Sequence, residues 1–155
     1  MIPKSYRTTT VHWAKSQANI LKLLLKQGVQ DVRFTTLASQ GQAYCEFNYP
    51  MTLEGKDVVI GVRIKVPLPP QGRLRDTDQT TNQAYRALLY YLKSKFEALQ
   101  FGLVEFIEEF LPHVTLHDKS GKSATVYQLL EGKVKQGFIT GQQTGTLAIP
   151  LLESK

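Results

Sequence analysis

Apolar and polar residues repeat with two different periods along the first half of the chain. Between Ser16 and Lys26, isoleucine and leucines follow the spacing of a helix, and Gly28 supplies a stop, so we predict a helix over about 13–27. After Gly28 the period changes to two, which is typical of strands with one buried face. This alternation predicts three strands, at about 32–37, 43–49 and 58–66.

Turn signals separate these strands and predict that they pair as hairpins. Ser39-Gln40-Gly41 lies between the first two strands, and Glu54-Gly55-Lys56-Asp57 lies between the second and third. The second strand is expected to end at Pro50, because proline cannot donate to a ladder.

Helical spacing dominates the second half. Three prolines and a glycine predict a loop from Pro67 to Asp76. Thr80 or Thr81 then caps a long helix whose apolar residues recur every three or four positions. Four further segments are predicted after it: a short helix from about 103 to Pro112, an extended piece at 113–118, one or two helical turns at 125–131, and a loosely packed tail.

The predicted fold is therefore α+β. It has a three-stranded antiparallel sheet, β-β-β, preceded by one helix and followed by a long helix, a second short helix and the tail. A chain of 155 residues favours one domain, which we place at residues 1–136, with a docked or flexible C-terminal tail at 137–155.

Composition predicts a cytoplasmic protein. The chain has no apolar run of spanning length, so we expect no membrane partner. The single cysteine, Cys45, lies in an alternating segment and is expected to be a small buried hydrophobic residue.

The net charge is +6, and the positive excess lies in the first 80 residues and after residue 118. The basic side chains of the third strand, the following loop and the long helix would converge on one groove if helix and loop fold back over the strand's polar face. A groove with cations for phosphates and with Tyr44, Tyr90 and Tyr91 nearby for stacking suits single-stranded nucleic acid. Its predicted residues are Arg63, Lys65, Arg73, Arg75, Arg86, Tyr90 and Lys93. Ordinary solvated polar faces explain the same residues.

Other groupings point to catalysis less directly. His113 and His117 share a face if their segment is extended, and two histidines with a carboxylate can bind a metal ion. The acids Glu105, Glu108 and Glu109 cover one side of the helix after Gly102. Paired carboxylates can hold magnesium or act as acid and base, and a solvated helix face explains them as well. Phosphate-loop, nucleophile-elbow and dinucleotide motifs are absent from the sequence, so we expect a non-enzymatic protein without a cofactor.

Three functions follow from these patterns. The first is a nucleic-acid-binding accessory protein. The second is a protein-interaction module, an adaptor or inhibitor from a mobile element, that docks a partner or a second copy through its tail, 147–152, and the helix face 101–111. The third is a metal-dependent hydrolase built on His113 and His117.

Two stretches resemble a known family. They run from Lys15-Ser16 through Gly28 to Val32-Arg33-Phe34, and from Arg86-Ala87-Leu88 through Gly102 to Glu109-Phe110-Leu111. The chain up to about residue 130 is similar to a family of small proteins of bacteria, phages and mobile elements that has no assigned activity.

The element order over about 13–101 also resembles the core of single-strand annealing proteins, which assemble into recombination rings. That resemblance implies a strand-helix groove for single-stranded DNA, with Arg63, Lys65, Arg86 and Lys93 at the matching positions.

Overall fold

The computed structural model describes residues 5–68 and 74–139, with the backbone alone given for 74–77 and 138–139. The first helix, α1, spans Trp13–Lys26. The Nδ1 atom of His12 accepts a hydrogen bond from the amide of Ala14 and caps the helix, and Gly28, at φ 85°, ends the turn that follows it. The predicted first helix is confirmed.

Three strands form one antiparallel sheet in the order β1-β2-β3. They are β1 (Asp31–Leu37), β2 (Gln42–Leu53) and β3 (Lys56–Pro67). A short 3-10 turn joins β1 to β2, and a two-residue turn at Glu54 and Gly55 joins β2 to β3. The register pairs Arg33 with Glu46 and Glu46 with Arg63, which aligns all three strands.

The predicted end of the second strand at Pro50 is wrong, because β2 continues to Leu53. β1 pairs with β2 only as far as Asn48, so from Tyr49 onward β2 has a strand on one side only. Proline is tolerated on such an edge, where part of the backbone has no ladder partner.

The long helix, α2, spans Leu74–Gln100. It begins earlier than the predicted caps at Thr80 or Thr81, so the last three residues of the predicted loop, Leu74, Arg75 and Asp76, are helical. No proline follows Pro70 until after the helix, so nothing in this part of the sequence opposes helix formation.

The C-terminal part contains the predicted short helix and extended segment, and it adds a second short strand and a longer last helix. A one-turn helix, α3 (Phe106–Phe110), is followed by a small hairpin of β4 (Thr115–His117) and β5 (Ser123–Thr125). Helix α4 then spans Val126–Ile139, twice the length of the predicted helical turns, and it runs across the predicted domain boundary at 136. Most of the predicted tail, 140–155, lies outside the described residues.

One apolar core joins the three longer strands to α1, α2 and α3, and it lies on a single face of the sheet. Phe96 of α2 packs against Phe47 and Tyr49 of β2, and Phe110 of α3 meets the Phe47 ring edge-on. Cys45 is fully buried in this core, as predicted, and burial raises the pKa of its thiol to about 12. The α+β fold class is confirmed.

Candidate functional site

The two faces of the sheet differ because side chains alternate along each strand. Positions such as Cys45, Phe47 and Val62 point into the core. The intervening positions form the outer face, the side of the sheet away from α1 and α2. It carries Asp31, Arg33, Thr35, Tyr44, Glu46, Asn48, Gly61, Arg63 and Lys65.

A carboxylate between two guanidinium groups forms the centre of this outer face. The Nε atom of Arg33 donates to Oε2 of Glu46 at 2.8 Å, and the Nε atom of Arg63 donates to Oε1 at 2.8 Å. The hydroxyl of Thr35 adds a third bond to Oε2 at 3.2 Å. Arg33 is 72% exposed and Arg63 is 24% exposed, so both reach the surface.

The charges of this cluster are mutually stabilised. Partial burial of Glu46 raises the pKa of its carboxyl, but the hydrogen bonds and charges of Arg33 and Arg63 outweigh burial and hold it below its ordinary value. The bond to Glu46 in turn raises the pKa of Arg33. The Glu46 carboxyl is therefore ionised at neutral pH, and one carboxylate between two guanidinium groups leaves this trio with one net positive charge.

Beside the Arg33-Glu46-Arg63 cluster on the same face, Tyr44 of β2 pairs with Thr35 of β1 and with Lys65 of β3. The Arg63 guanidinium carbon lies 5.8 Å from the centre of the half-buried Tyr44 ring, and Lys65 is exposed. Within the described residues Lys65 makes no ion pair.

A groove of about 480 Å³ runs between this face and the β4-β5 hairpin. The hairpin wall supplies Thr115 and His117, and it is fixed by a bond of 3.0 Å from Arg63 to the hydroxyl of Ser123. The sheet wall comprises Gln30, Asp31, Val32, Arg33, Glu46, Phe47, Asn48, Gly61, Val62 and Arg63.

The two predicted cations of α2, Arg86 and Lys93, do not lie on the outer face of the sheet. Arg86 donates to the hydroxyl of Tyr90 at 3.0 Å and sits 4.9 Å from the centre of its ring. The Tyr6 ring stacks on Tyr90 with centroids 5.4 Å apart, so a segment of the chain itself already contacts the ring predicted to stack on a base. Lys93 lies 3.9 Å from Glu97.

The structure does not bring the seven predicted residues into one groove. α2 packs on the inner face of the sheet through Tyr85 and Phe96, whereas Arg63 and Lys65 point from the outer face. The sheet and the core therefore separate these two cations from Arg86, Tyr90 and Lys93. Arg73 and the side chain of Arg75 lie outside the described residues.

The histidines and acids of the C-terminal part have other partners. His113 contacts the hydroxyl of Tyr91 at 2.9 Å, while His117 lines the groove. Glu105 and Glu108 form the capping box of α3, and Glu109 binds Lys95 at 2.5 Å. Over residues 5–68 and 74–139, no three metal-ligating side chains cluster.

The helix face predicted to dock a partner is only partly exposed. Phe106 and Phe110 of α3 are buried in the core, whereas Phe101 and Leu103, in the preceding turn, are exposed. The rest of the predicted docking surface, 147–152, lies outside the described residues. In the described ranges, no helix has both the length and the apolar character needed to cross a membrane.

Sequence reasoning missed Arg33 and Glu46 as members of the site. Both stand at polar positions of alternating segments, which indicates their face. Their contact with Arg63 depends on the register of three strands, and the turn signals alone do not give that register.

The fold and its surface define a small α+β protein with α1, α2 and α3 on one face of a sheet and a polar groove on the other. Two arginines and two acids line this groove, and Lys65 lies beside it on the same sheet face. No protein-family model, curated protein or solved structure matches the chain. The similarity to mobile-element proteins and to annealing proteins therefore stays a prediction.

Proposed function

We propose that the protein is a non-enzymatic accessory protein that binds single-stranded nucleic acid on the outer face of its sheet. Arg33, Arg63 and Lys65 contact phosphates in this proposal. The observation that carries it is the pair of guanidinium groups held by Glu46 on the sheet face opposite the core formed with α1, α2 and α3.

The Glu46 carboxylate orients both guanidinium groups in advance. Each guanidinium has five N–H donors, and Glu46 takes only the Nε donor of each, while Ser123 takes one more from Arg63. Among the described residues the remaining donors have no other hydrogen-bond partner. They can therefore bind phosphate oxygens, which arginine binds with matching geometry. Because the side chains are already held in place, less conformational entropy is lost on binding.

Tyr44 and Lys65, which lie beside these arginines on the outer face, favour a single-stranded oligonucleotide as the ligand over an isolated anion. Lys65 extends the positive charge across the sheet, and Tyr44 supplies an aromatic ring on the same face. Aromatic rings on an open sheet stack with unpaired bases, which are accessible in single strands.

Binding to a fluorescently labelled single-stranded oligonucleotide, measured by anisotropy over a range of salt concentrations, tests this proposal. With about three phosphate contacts, the logarithm of the affinity should fall with the logarithm of the salt concentration with a slope of about −2. The double variant Arg33→Gln/Lys65→Gln should weaken binding by about tenfold or more at low salt and reduce the slope to about −0.7.

The double variant Arg86→Gln/Lys93→Gln on α2 is the matched control, because it also removes one arginine and one lysine, but from a helix on the other side of the sheet. It should change the affinity by no more than about threefold. Equal losses from both double variants would show a general charge effect and refute the proposed surface. No binding of the unaltered protein at low ionic strength would refute nucleic-acid binding itself.

A further inference from the structure

One end of the groove, beside the two arginines, presents a carboxylate and an amide. Asp31 of β1 pairs with Asn48 of β2 in the row next to Arg33 and Glu46. Asp31 and Asn48 are both exposed, and both line the groove. Within the described ranges Asp31 makes no ion pair. Its carboxylate repels phosphates, so this end of the groove suits a neutral group that donates hydrogen bonds.

The two side chains present their hydrogen-bonding groups in a defined order. The Nδ2 atom of Asn48 donates to Oδ2 of Asp31 at 3.4 Å, which places the amide beside the carboxylate. The amide has a second N–H, and the carboxylate has lone pairs on both of its oxygens. The pair therefore offers one donor followed by two acceptors to a ligand in the groove.

Guanine is the base whose Watson–Crick edge complements this order. That edge carries an acceptor, O6, followed by two donors, N1–H and the N2 amino group. The same edge of adenine, cytosine or thymine has one donor group and at least one acceptor, and an acceptor is repelled by a carboxylate. In a single strand these edges are unpaired and accessible to side chains.

The groove has the dimensions to hold a base while the arginines hold phosphates. Rows on one face of a sheet are two residues apart along each strand, which is about 7 Å, so Asp31 lies close to Arg33. The volume of about 480 Å³ lies within the range of sites that enclose one small ligand. His117 lines the opposite wall and supplies an imidazole ring, a group on which bases stack.

We infer that the groove binds one guanine of a single strand. The Asn48 amide donates to O6, and the Asp31 carboxylate accepts from N1–H and from the N2 amino group. This inference rests on the proposed binding of single-stranded nucleic acid and adds a base preference to it. Phosphate contacts carry no sequence information, whereas contacts with a base edge do.

Anisotropy with short labelled thymine strands that differ only in one central base tests the inference. The strand with guanine should bind about tenfold more tightly than the strands with adenine or cytosine. Hypoxanthine keeps O6 and N1–H but lacks the N2 amino group, so its strand should bind about threefold more weakly than the guanine strand. These ratios should stay nearly constant with salt, because contacts with base edges release no counterions.

The outcomes separate this inference from the proposed function. Equal affinities for guanine, adenine and cytosine would overturn the base preference and leave phosphate binding intact. Equal affinities for guanine and hypoxanthine would overturn the two-donor contact with Asp31. No binding of any strand at low ionic strength would refute the proposed function, and the inference with it.

Asp31→Asn separates base recognition from charge. It removes a negative charge, so the adenine strand should bind as tightly as before or up to about threefold more tightly. The advantage of guanine should fall to about twofold or less, because one of the two acceptors is lost.

Asp57→Asn is the matched control. Asp57 is exposed, accepts a bond from Thr52 at 2.8 Å near the start of β3, and is not among the residues that line the groove. This variant loses the same charge and should keep the tenfold preference for guanine. An undiminished preference in Asp31→Asn, or equal losses in the two variants, would contradict recognition by Asp31.

Discussion

At the scale of single residues, folding changes the pKa of His113, so its titration affects stability. Burial lowers the pKa of its imidazole, and the nearby ammonium of Lys95 lowers it further. That ammonium is held over the Tyr91 ring and bonded to Glu109, so it cannot move away easily. The folded protein therefore binds this proton less readily than the unfolded chain, whose value is the ordinary 6.5.

The sign of the pH dependence follows from this difference. Well above pH 6.5 the His113 imidazole is neutral in the folded and the unfolded state, so it does not make stability depend on pH. Below pH 6.5 the unfolded chain binds the proton more readily than the folded protein, which favours unfolding. The free energy of unfolding should fall as the pH drops through 6.5 towards the lower pKa of the folded state. Urea unfolding at about pH 7.5 and pH 5 should show a smaller loss for His113→Gln than for the unaltered protein. Carboxylates titrate in both proteins, so equal losses would contradict the role of His113.

At the scale of elements, Gly61 allows the β4-β5 hairpin to lie against the sheet. Its φ is not positive, so turn geometry does not require glycine here. A Cβ atom at this position would lie 2.4 Å from Oγ1 of Thr115. The absence of a side chain therefore permits the close approach of β4 to β3.

Gly61→Ala should lower the free energy of unfolding by about 1–3 kcal/mol, the usual cost of overpacking. Thr115→Ala removes the clashing hydroxyl, so it should recover part of this loss when combined with Gly61→Ala. Denaturant unfolding of the two single variants and the double variant forms a thermodynamic cycle that measures the coupling. Strictly additive effects would mean that the contact does not constrain the hairpin.

Hydrophobic periodicity in the sequence predicted the long helices and strands, but it did not predict the β4-β5 hairpin, which depends on tertiary contacts. Periodicity located α1, the three strands and most of α2, because each of these buries one continuous face. The β4-β5 hairpin has only three residues per strand and is too short to show a period. It is stabilised by contacts with β3, including the bond from Arg63 to Ser123, which no local pattern records.

Only the strand residues of the candidate site could be predicted from local patterns, because the position of a helix relative to the sheet depends on tertiary packing. Alternation placed Arg63 and Lys65 correctly on a polar strand face. The expectation that α2 would bring Arg86 and Lys93 to the same face was wrong, because the apolar side of α2 packs on the opposite face of the sheet. Helical spacing shows which residues share a stripe but not where the stripe lies in the molecule.

At the scale of the whole molecule, stability depends on the aromatic cluster between the sheet and the helices. Phe96 contacts Phe47, Tyr49 and Phe110 there and is almost fully buried. Phe96→Ala should lower the free energy of unfolding by about 3–5 kcal/mol. Phe101→Ala is the matched control, since this ring is 82% exposed, and it should change stability by less than about 0.5 kcal/mol. Chemical denaturation measures both, and similar losses would contradict this packing.

The order of the strands has a consequence during synthesis. Every pairing in the larger sheet joins strands that are consecutive in sequence, so the last of its residues, Pro67, is made before the first of α2. Strands that are separated by short connections pair quickly, because little chain entropy is lost when they meet. We therefore expect the sheet to form in the nascent chain before α2 is available, when only α1 can cover its apolar face. Until the segment containing Phe96 and Phe110 leaves the ribosome, that side is open to chaperones and to neighbouring nascent chains.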